Sequence, residues 1–315
     1  MAIVLIEHMG DIVAAEPVAG LARRRFPDAR IFWIVRAPYA SLPASYPEVD
    51  RVVTVGCLTE WILLRRLKLF DVVWDLHING RVCPHCGIPE IRPGELPDQH
   101  NYYNYGNLLE VECLSAGLPG LTDGPVITPS PAAAAMVYAL SLPSRFIVIH
   151  CAANDSRRDW SADKWRDLVA RILAADPTVS VVEVGLRPLT VMQDAARQRT
   201  LCGMLTILET AEVIRRAVLF IGIDSGPAHL ANAVGARGVI LLGTYRGFRA
   251  YMPFSGSYAT GETAGIVRTD GPVAELPVQA VFAAVMAHLV AATAASPPPP
   301  GALTDRRAAD GAAAP

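Results

Sequence analysis

The chain has 315 residues, of which 52% are hydrophobic, with 28 Lys and Arg against 30 Asp and Glu. A formal net charge of −2 supplies no global field for nucleic acid, which excludes recognition of a polyanion by overall charge. The length exceeds a usual single domain, so two domains of roughly 150 residues each are expected, and no apolar run approaches the ~18 residues of a membrane span.

Met1 to Ile6 is apolar, but Glu7 and His8 interrupt it too early for a signal-peptide core, so it reads as a first strand in a cytoplasmic protein. Glu7-His8-Met9-Gly10 then turns into a helix that Asp11 begins and that stops before Pro27. Arg30–Val35 and Arg51–Val55 read as strands, with Pro38, Pro43 and Pro47 keeping the connection irregular. A helix from Leu58 to about Lys68 leads to the strand Asp71–Asp75. This alternation predicts an α/β chain with a doubly wound parallel sheet. From 76 to 100 the pattern lapses around Pro84, Pro89, Pro93 and Pro97, and Tyr102 to about Gly117 resumes as a helix. Residues 118–143, rich in Pro, Gly and small side chains, form the linker candidate.

The second half repeats the first. Arg145–Ile149 is a strand, and Trp165, Leu168, Val169, Ile172 and Leu173 share one helix face. Val179–Val184 is a strand, Thr190–Arg197 and Glu209–Ala217 are helices, and a last helix presents Val278, Val281, Phe282, Val285 and Leu289. The domains expected are 1–130, with a cysteine-containing insertion at 76–100, then 131–295. The Pro/Ala tail of 296–315 buries too little to order itself.

The most informative stretch is Val218–Gly235. Val218 to Ile223 reads as a buried strand, Asp224 or Ser225 can cap, and Pro227 suits the first helical position, where its missing N–H costs nothing. Gly226 lets a ligand approach the free N–H groups of the first turn, where the helix dipole favours phosphate. His229, three residues on, stays near that mouth as a hydrogen-bond donor.

The whole string Asp224-Ser225-Gly226-Pro227-Ala228-His229-Leu230-Ala231, followed by the strand Gly238–Leu242 and Gly243-Thr244, resembles glycosyltransferase family 9, the heptosyltransferase family. The resemblance implies the GT-B fold, two Rossmann-like doubly wound parallel-sheet domains facing a cleft. It implies a metal-independent transfer of a sugar with inversion, heptose from ADP-heptose in particular, to a glycan or glycolipid acceptor of the lipopolysaccharide-core kind. The enzyme would then work in the cytoplasm, at the inner face of the membrane. His8-Met9-Gly10-Asp11 resembles the amino-terminal Gly-Asp segment in which the aspartate is the general base, a role the chemistry needs opposite the departing diphosphate. His150 to Trp160 resembles the donor-phosphate loop, with Ser156 and Arg158 as nearest equivalents; Trp160-Ser161 replaces the usual Trp-Pro, so Arg157 can hold the place instead. Leu205 to Glu209 resembles the nucleoside-binding segment, where Glu209 or Glu212 would act. Thr244 closes the donor set.

Cys83-Pro84-His85-Cys86-Gly87 belongs to none of this. Such a knuckle points two thiolates and several N–H groups at one spot, as zinc and iron sites do, with Cys57 and Cys113 available to complete four ligands and His77, His85 and His100 as substitutes. In a cytoplasmic chain, six cysteines read as thiols or ligands before disulfides. Arg23-Arg24-Arg25 and Arg65-Arg66-Leu67-Lys68 read as solvated helix faces or as contacts to anionic lipid or a phosphorylated acceptor. Two other readings share this architecture: a sugar-nucleotide epimerase, and a non-catalytic nucleotide-sugar-binding scaffold.

Overall fold

A computed structural model describes residues 1–94, 97–190, 194–248 and 251–294. The first half contains β1 (Ala2–Val4), α1 (Met9–Ala14), α2 (Pro17–Arg25), β2 (Phe32–Arg36), β3 (Arg51–Val55), α3 (Leu58–Leu64), β4 (Val73–Asp75), the short pair β5 (Arg81–Val82) and β6 (Pro89–Glu90), and α4 (Leu108–Ser115). The second contains α5 (Pro131–Ala139), β7 (Phe146–His150), α6 (Ala162–Ala175), β8 (Ser180–Glu183), β9 (Gln198–Thr200), α7 (Ile207–Arg216), β10 (Leu219–Ile223), α8 (Gly226–Ala233), β11 (Gly238–Leu242), α9 (Gly256–Thr260), β12 (Ala264–Arg268) and α10 (Val278–Ala294).

Two parallel sheets result, in the orders β3-β2-β1-β4 and β12-β11-β10-β7-β8-β9. The chain reverses its direction of travel between β1 and β4 in the first sheet and between β7 and β10 in the second. Such switch points open a crevice beyond the carboxyl ends of the strands. The segments that follow β1, β7 and β10 there carry Asp11, Arg158 and Ser225 respectively. The fold is therefore the expected pair of Rossmann-like domains.

Several boundaries differ from expectation for local reasons. Pro17 occupies the first turn of α2 and divides the expected single helix into α1 and α2. Gly106 at φ +135° cannot lie in a helix, so residues 102–117 split into a 3-10 turn and α4, whose start is set by an Asn107–Glu110 capping box. The expected linker contains α5: Ser130 Oγ accepts from Ala133 N–H and Pro131 stands at the first position, a start signal that its Ala-rich body obscures. Of the expected helix 190–197, residues 191–193 lie outside the described residues. There Asp194 Oδ1 takes the N–H groups of Ala196 and Arg197 at 3.0 and 3.2 Å, making a turn that leads into β9. The tail 296–315 likewise lies outside the described residues.

The two halves meet along an aromatic seam. Tyr102 and Tyr103 pack on Phe248 with ring centroids 4.8 and 5.2 Å away, and Tyr103 packs on Tyr251 at 4.9 Å. Among the described residues no helix is long and apolar enough to cross a membrane.

Candidate active site at the cleft

Both motif loops converge on one cleft of about 1010 Å³, lined by Asp11, Tyr103, Arg158, Ser225, Gly226 and His229 among others. The approach is close because the two helices begin with small residues. A Cβ on Gly10 would stand 3.0 Å from His229 Cδ2, and one on Gly226 would stand 2.2 Å from Met9 Cε. Thus Gly226 makes room for Met9 of α1 as well as for a ligand.

On the α8 side, Asp224 is buried and organises its neighbours. Arg158 Nη1 donates to Asp224 Oδ2 at 2.9 Å, Tyr251 Oη donates to the same oxygen, and His229 Nε2 lies 3.8 Å from Oδ1. Burial pushes the Asp224 carboxyl up, but His229 and Arg158 outweigh it and hold it below its ordinary range. It is thus an anion that orients Arg158 and His229, not a group for a phosphate to touch. Arg158 Nε is buried and meets no hydrogen-bond partner among the described residues, a donor left over for a ligand. Neither Asp224 nor Ser225 caps α8 with its side chain. Ser225 Oγ gives its proton to Ile223 O at 3.1 Å, so the 2.9 Å contact with His150 is an Nδ1–H donation from a ring that burial keeps neutral, with its pKa pushed down to about 4. In the first turn of α8 Pro227 has no N–H and Ala228 gives its own to Ser225 O at 3.0 Å, so the Gly226 N–H is the donor left for an anion of the kind helix N-termini bind.

On the α1 side, His8 holds the cap position and Asp11 lies inside the first turn. The Asp11 carboxylate has no hydrogen-bond partner among the described residues and faces the cleft, so it is not a helix cap. Beside it a second cavity of about 280 Å³ is lined by Arg36, Arg81, Arg246, His8 and His85. Arg81 is tied to Glu7 at 2.5 Å, while Arg36 and Arg246 make no ion pair among the described residues.

Cys57, Cys83 and Cys86 place their sulfurs within 4.8 Å of one another, Cys57 Sγ and Cys86 Sγ being 3.9 Å apart. Burial opposes ionisation of Cys83, yet donors from Thr59 and the N–H groups of His85 and Cys86 bring its thiol down to about 6. Cys113 is not part of this cluster. It is buried in the other core layer with its thiol pushed up to about 12 by burial and Glu112. Nor is His77 a ligand: its Nδ1 meets Asp75 Oδ1 at 2.6 Å while its Nε2 accepts Ile6 N–H at 2.8 Å. His100 is exposed away from the thiols.

Other expected donor residues also fall outside the cleft. Ser156 is exposed on its 3-10 turn, Glu209 closes a capping box with Thr206, and Thr244 gives its N–H to Gly271 O at 2.8 Å. Glu212 is buried against Arg215 and Arg216, and Arg157 pairs with Asp155, leaving Arg158 as the loop arginine that reaches the site. Sequence reasoning missed His150, Glu112, Arg36, Arg81 and Arg246. Only His150 had a signal, as the last residue of the strand at the switch point.

Residues 127–251 match the family model for Glycosyltransferase family 9 (heptosyltransferase). Among solved structures, Escherichia coli ADP-heptose lipopolysaccharide heptosyltransferase II is similar at a TM-score of 0.70 and 16% identity, covering 92% of this chain and 98% of that one. Escherichia coli heptosyltransferase WaaC with ADP is similar at 0.62 and 17% identity, covering 91% and 99%. The dodecameric iron-containing heptosyltransferase TibC, in complex with ADP-D-β-D-heptose, is similar at 0.53 and 12% identity, covering 93% and 74%. No curated protein matches the chain in sequence. Residues 127–251 thus carry the family 9 match, and the two-domain fold of these enzymes runs through the chain.

Proposed function

We propose that the chain moves heptose from ADP-heptose to a hydroxyl of a lipopolysaccharide-core-like acceptor, inverting the anomeric carbon and using no metal in the chemical step. The donor would sit on residues 131–295 and the acceptor on residues 1–130. One observation carries this reading: an unbonded carboxylate, Asp11, shares a cleft with the open N-terminus of α8 and the Arg158–His229 pair. The diphosphate takes the Gly226 N–H at the start of α8 and the Arg158 Nε donor. Asp11 accepts the proton of the acceptor hydroxyl as its oxygen attacks the anomeric carbon from the opposite face. The glycosidic C–O bond to phosphate breaks, and its electron pair leaves on the diphosphate, where Arg158, His229 and the helix end stabilise the charge.

The cavity bearing Arg36 and Arg246 supports an acceptor with an anionic substituent near the reacting hydroxyl. Exposed Leu63, Leu67 and Leu69, at 56, 63 and 63%, interleave with Arg66 and Lys68 and support contact with an anionic lipid surface at the inner face of the membrane. The test is incubation with ADP-heptose and a deacylated lipopolysaccharide core oligosaccharide, with mass spectrometry of the glycan and NMR of the new anomeric centre. Heptosylated product of inverted configuration is expected. Donor binding without transfer would favour a scaffold, and a changed sugar nucleotide without acceptor would favour an epimerase.

A structural metal at Cys57, Cys83 and Cys86 accompanies this reading. Tetrahedral thiolates at a metal–sulfur distance of about 2.3 Å stand about 3.8 Å apart, close to the spacing of Cys57 and Cys86, and Cys83 is poised to ionise. The similar fold of an iron-containing heptosyltransferase supports iron as much as zinc. His85, between two of the thiols, or solvent would fill the fourth place. Bound there, the ion would pin the loop after β5 to the start of α3, outside the reaction path.

A further inference from the structure

Helix α4 faces the core with Leu108, Leu109, Val111 and Cys113, and at one position in that row it carries a carboxyl instead. Glu112 is 1% exposed, it lines the cleft that Asp11 and Tyr103 line, and its Oε2 meets no hydrogen-bond partner among the described residues. The fold gains nothing from this: a leucine of similar size would fill the space without burying an unsatisfied polar atom. A buried oxygen left without a partner in the wall of a ligand cleft is explained by a partner that arrives with the ligand.

We infer that Glu112 is a positioning residue for the acceptor, its carboxyl hydrogen-bonding a hydroxyl of the acceptor sugar adjacent to the one that Asp11 deprotonates. The inference rests on the reading that the acceptor enters beside Asp11. Burial, with the Asp11 and Glu7 carboxylates adding to it, pushes the Glu112 carboxyl well above its ordinary range, which favours the neutral acid, a form able both to give and to accept. That neutrality also keeps it from competing with Asp11 for the acceptor's proton.

The test compares Glu112→Gln and Glu112→Leu in initial-rate assays with ADP-heptose and deacylated core oligosaccharide. Loss of one hydrogen bond in a desolvated site should raise KM for the oligosaccharide by about tenfold or more in Glu112→Leu, with KM for ADP-heptose unchanged and the melting temperature equal or higher. Glu112→Gln, also neutral and able to hydrogen-bond, should stay within about threefold of wild type. A Glu112→Leu enzyme with wild-type acceptor KM overturns the inference while leaving the Asp11 reading intact. Infrared difference spectra of wild type against Glu112→Gln at neutral pH provide a check that needs no turnover. A protonated-carboxyl C=O band should vanish in the variant and shift in wild type when the oligosaccharide is added. No such band, or a band the oligosaccharide does not move, overturns the inference even if no transfer is seen, an outcome that would separately defeat the functional reading.

Discussion

Asp11→Asn isolates the proton transfer from everything else the residue does. Asparagine keeps the size of the side chain, and no hydrogen bond of the fold is lost, because the Asp11 carboxylate makes none to a described residue. What is lost in stability is the favourable placement of a negative charge in the first turn of α1, about 0.3–1 kcal/mol. In a chain of this size that lowers the melting temperature by about 1–4 °C. Catalysis should respond on another scale. A positioned base is worth about 10²–10⁴ in rate, or about 3–5.5 kcal/mol of transition-state stabilisation. The assay is ADP release from ADP-heptose in the presence of core oligosaccharide, read beside donor affinity by calorimetry and stability by thermal melting. Turnover should collapse while donor affinity, set by α8 and Arg158 across the cleft, stays near wild type. An Asp11→Asn enzyme with wild-type turnover would refute the mechanism.

Three further outcomes are expected. Arg158→Ala removes a charged donor from the diphosphate and should weaken ADP binding by about 10–150-fold, equivalent to about 1.5–3 kcal/mol; undiminished binding by calorimetry would exclude Arg158 from the donor site. If the thiols hold metal, purified protein should contain about one zinc or iron per chain by elemental analysis, lost together with thermal stability in a Cys83→Ser, Cys86→Ser variant. Glu16, whose Oε2 accepts the Val126 N–H at 2.9 Å, has its carboxyl raised by burial, with Glu48 and Asp123 adding to it, from 4.5 to about 7. The folded state therefore binds more protons than the unfolded one between those values, and stability is fully present below the unfolded pKa and lost as pH rises through about 7. Glu16→Gln should remove up to about 3 kcal/mol of that fall, seen as a flatter dependence of melting temperature on pH than in wild type. Identical profiles would show that Glu16 is not the titrating group.

Where the sequence spoke clearly, one residue pattern had one physical outcome. The β-branched run before Asp224 has to be a covered strand, and Ser-Gly-Pro after it has to be a helix start, so the strand-to-helix turn at 224–227 and the parallel sheets were legible. Asp11 was legible as a candidate base, although its place inside the first turn, with His8 at the cap, emerged only from the structure. The failures share a cause: long-range packing decided them. Arg158 and Arg157 are equivalent in sequence, and only the position of Asp224, 66 residues away, separates them. Glu112 looks like a solvent-facing helix residue until α4 is seen to turn that side to the cleft, and Arg36, Arg81 and Arg246 meet only through the fold. Cys57 joins Cys83 and Cys86 because α3 begins beside the β5–β6 pair, a contact no spacing rule contains.

The aromatic seam bears on how the two halves are held together. Three ring pairs, Tyr102–Phe248, Tyr103–Phe248 and Tyr103–Tyr251, bridge the halves, and each is worth about 0.5–1.5 kcal/mol beyond its buried area. The seam therefore contributes a few kcal/mol to holding the halves against each other. Tyr251 also donates to Asp224, which links the seam to the orientation of Arg158 and His229. A ring removed from the first half, as in Tyr103→Ala, would therefore be felt at Asp224 through Tyr251, although nothing in the second half had changed.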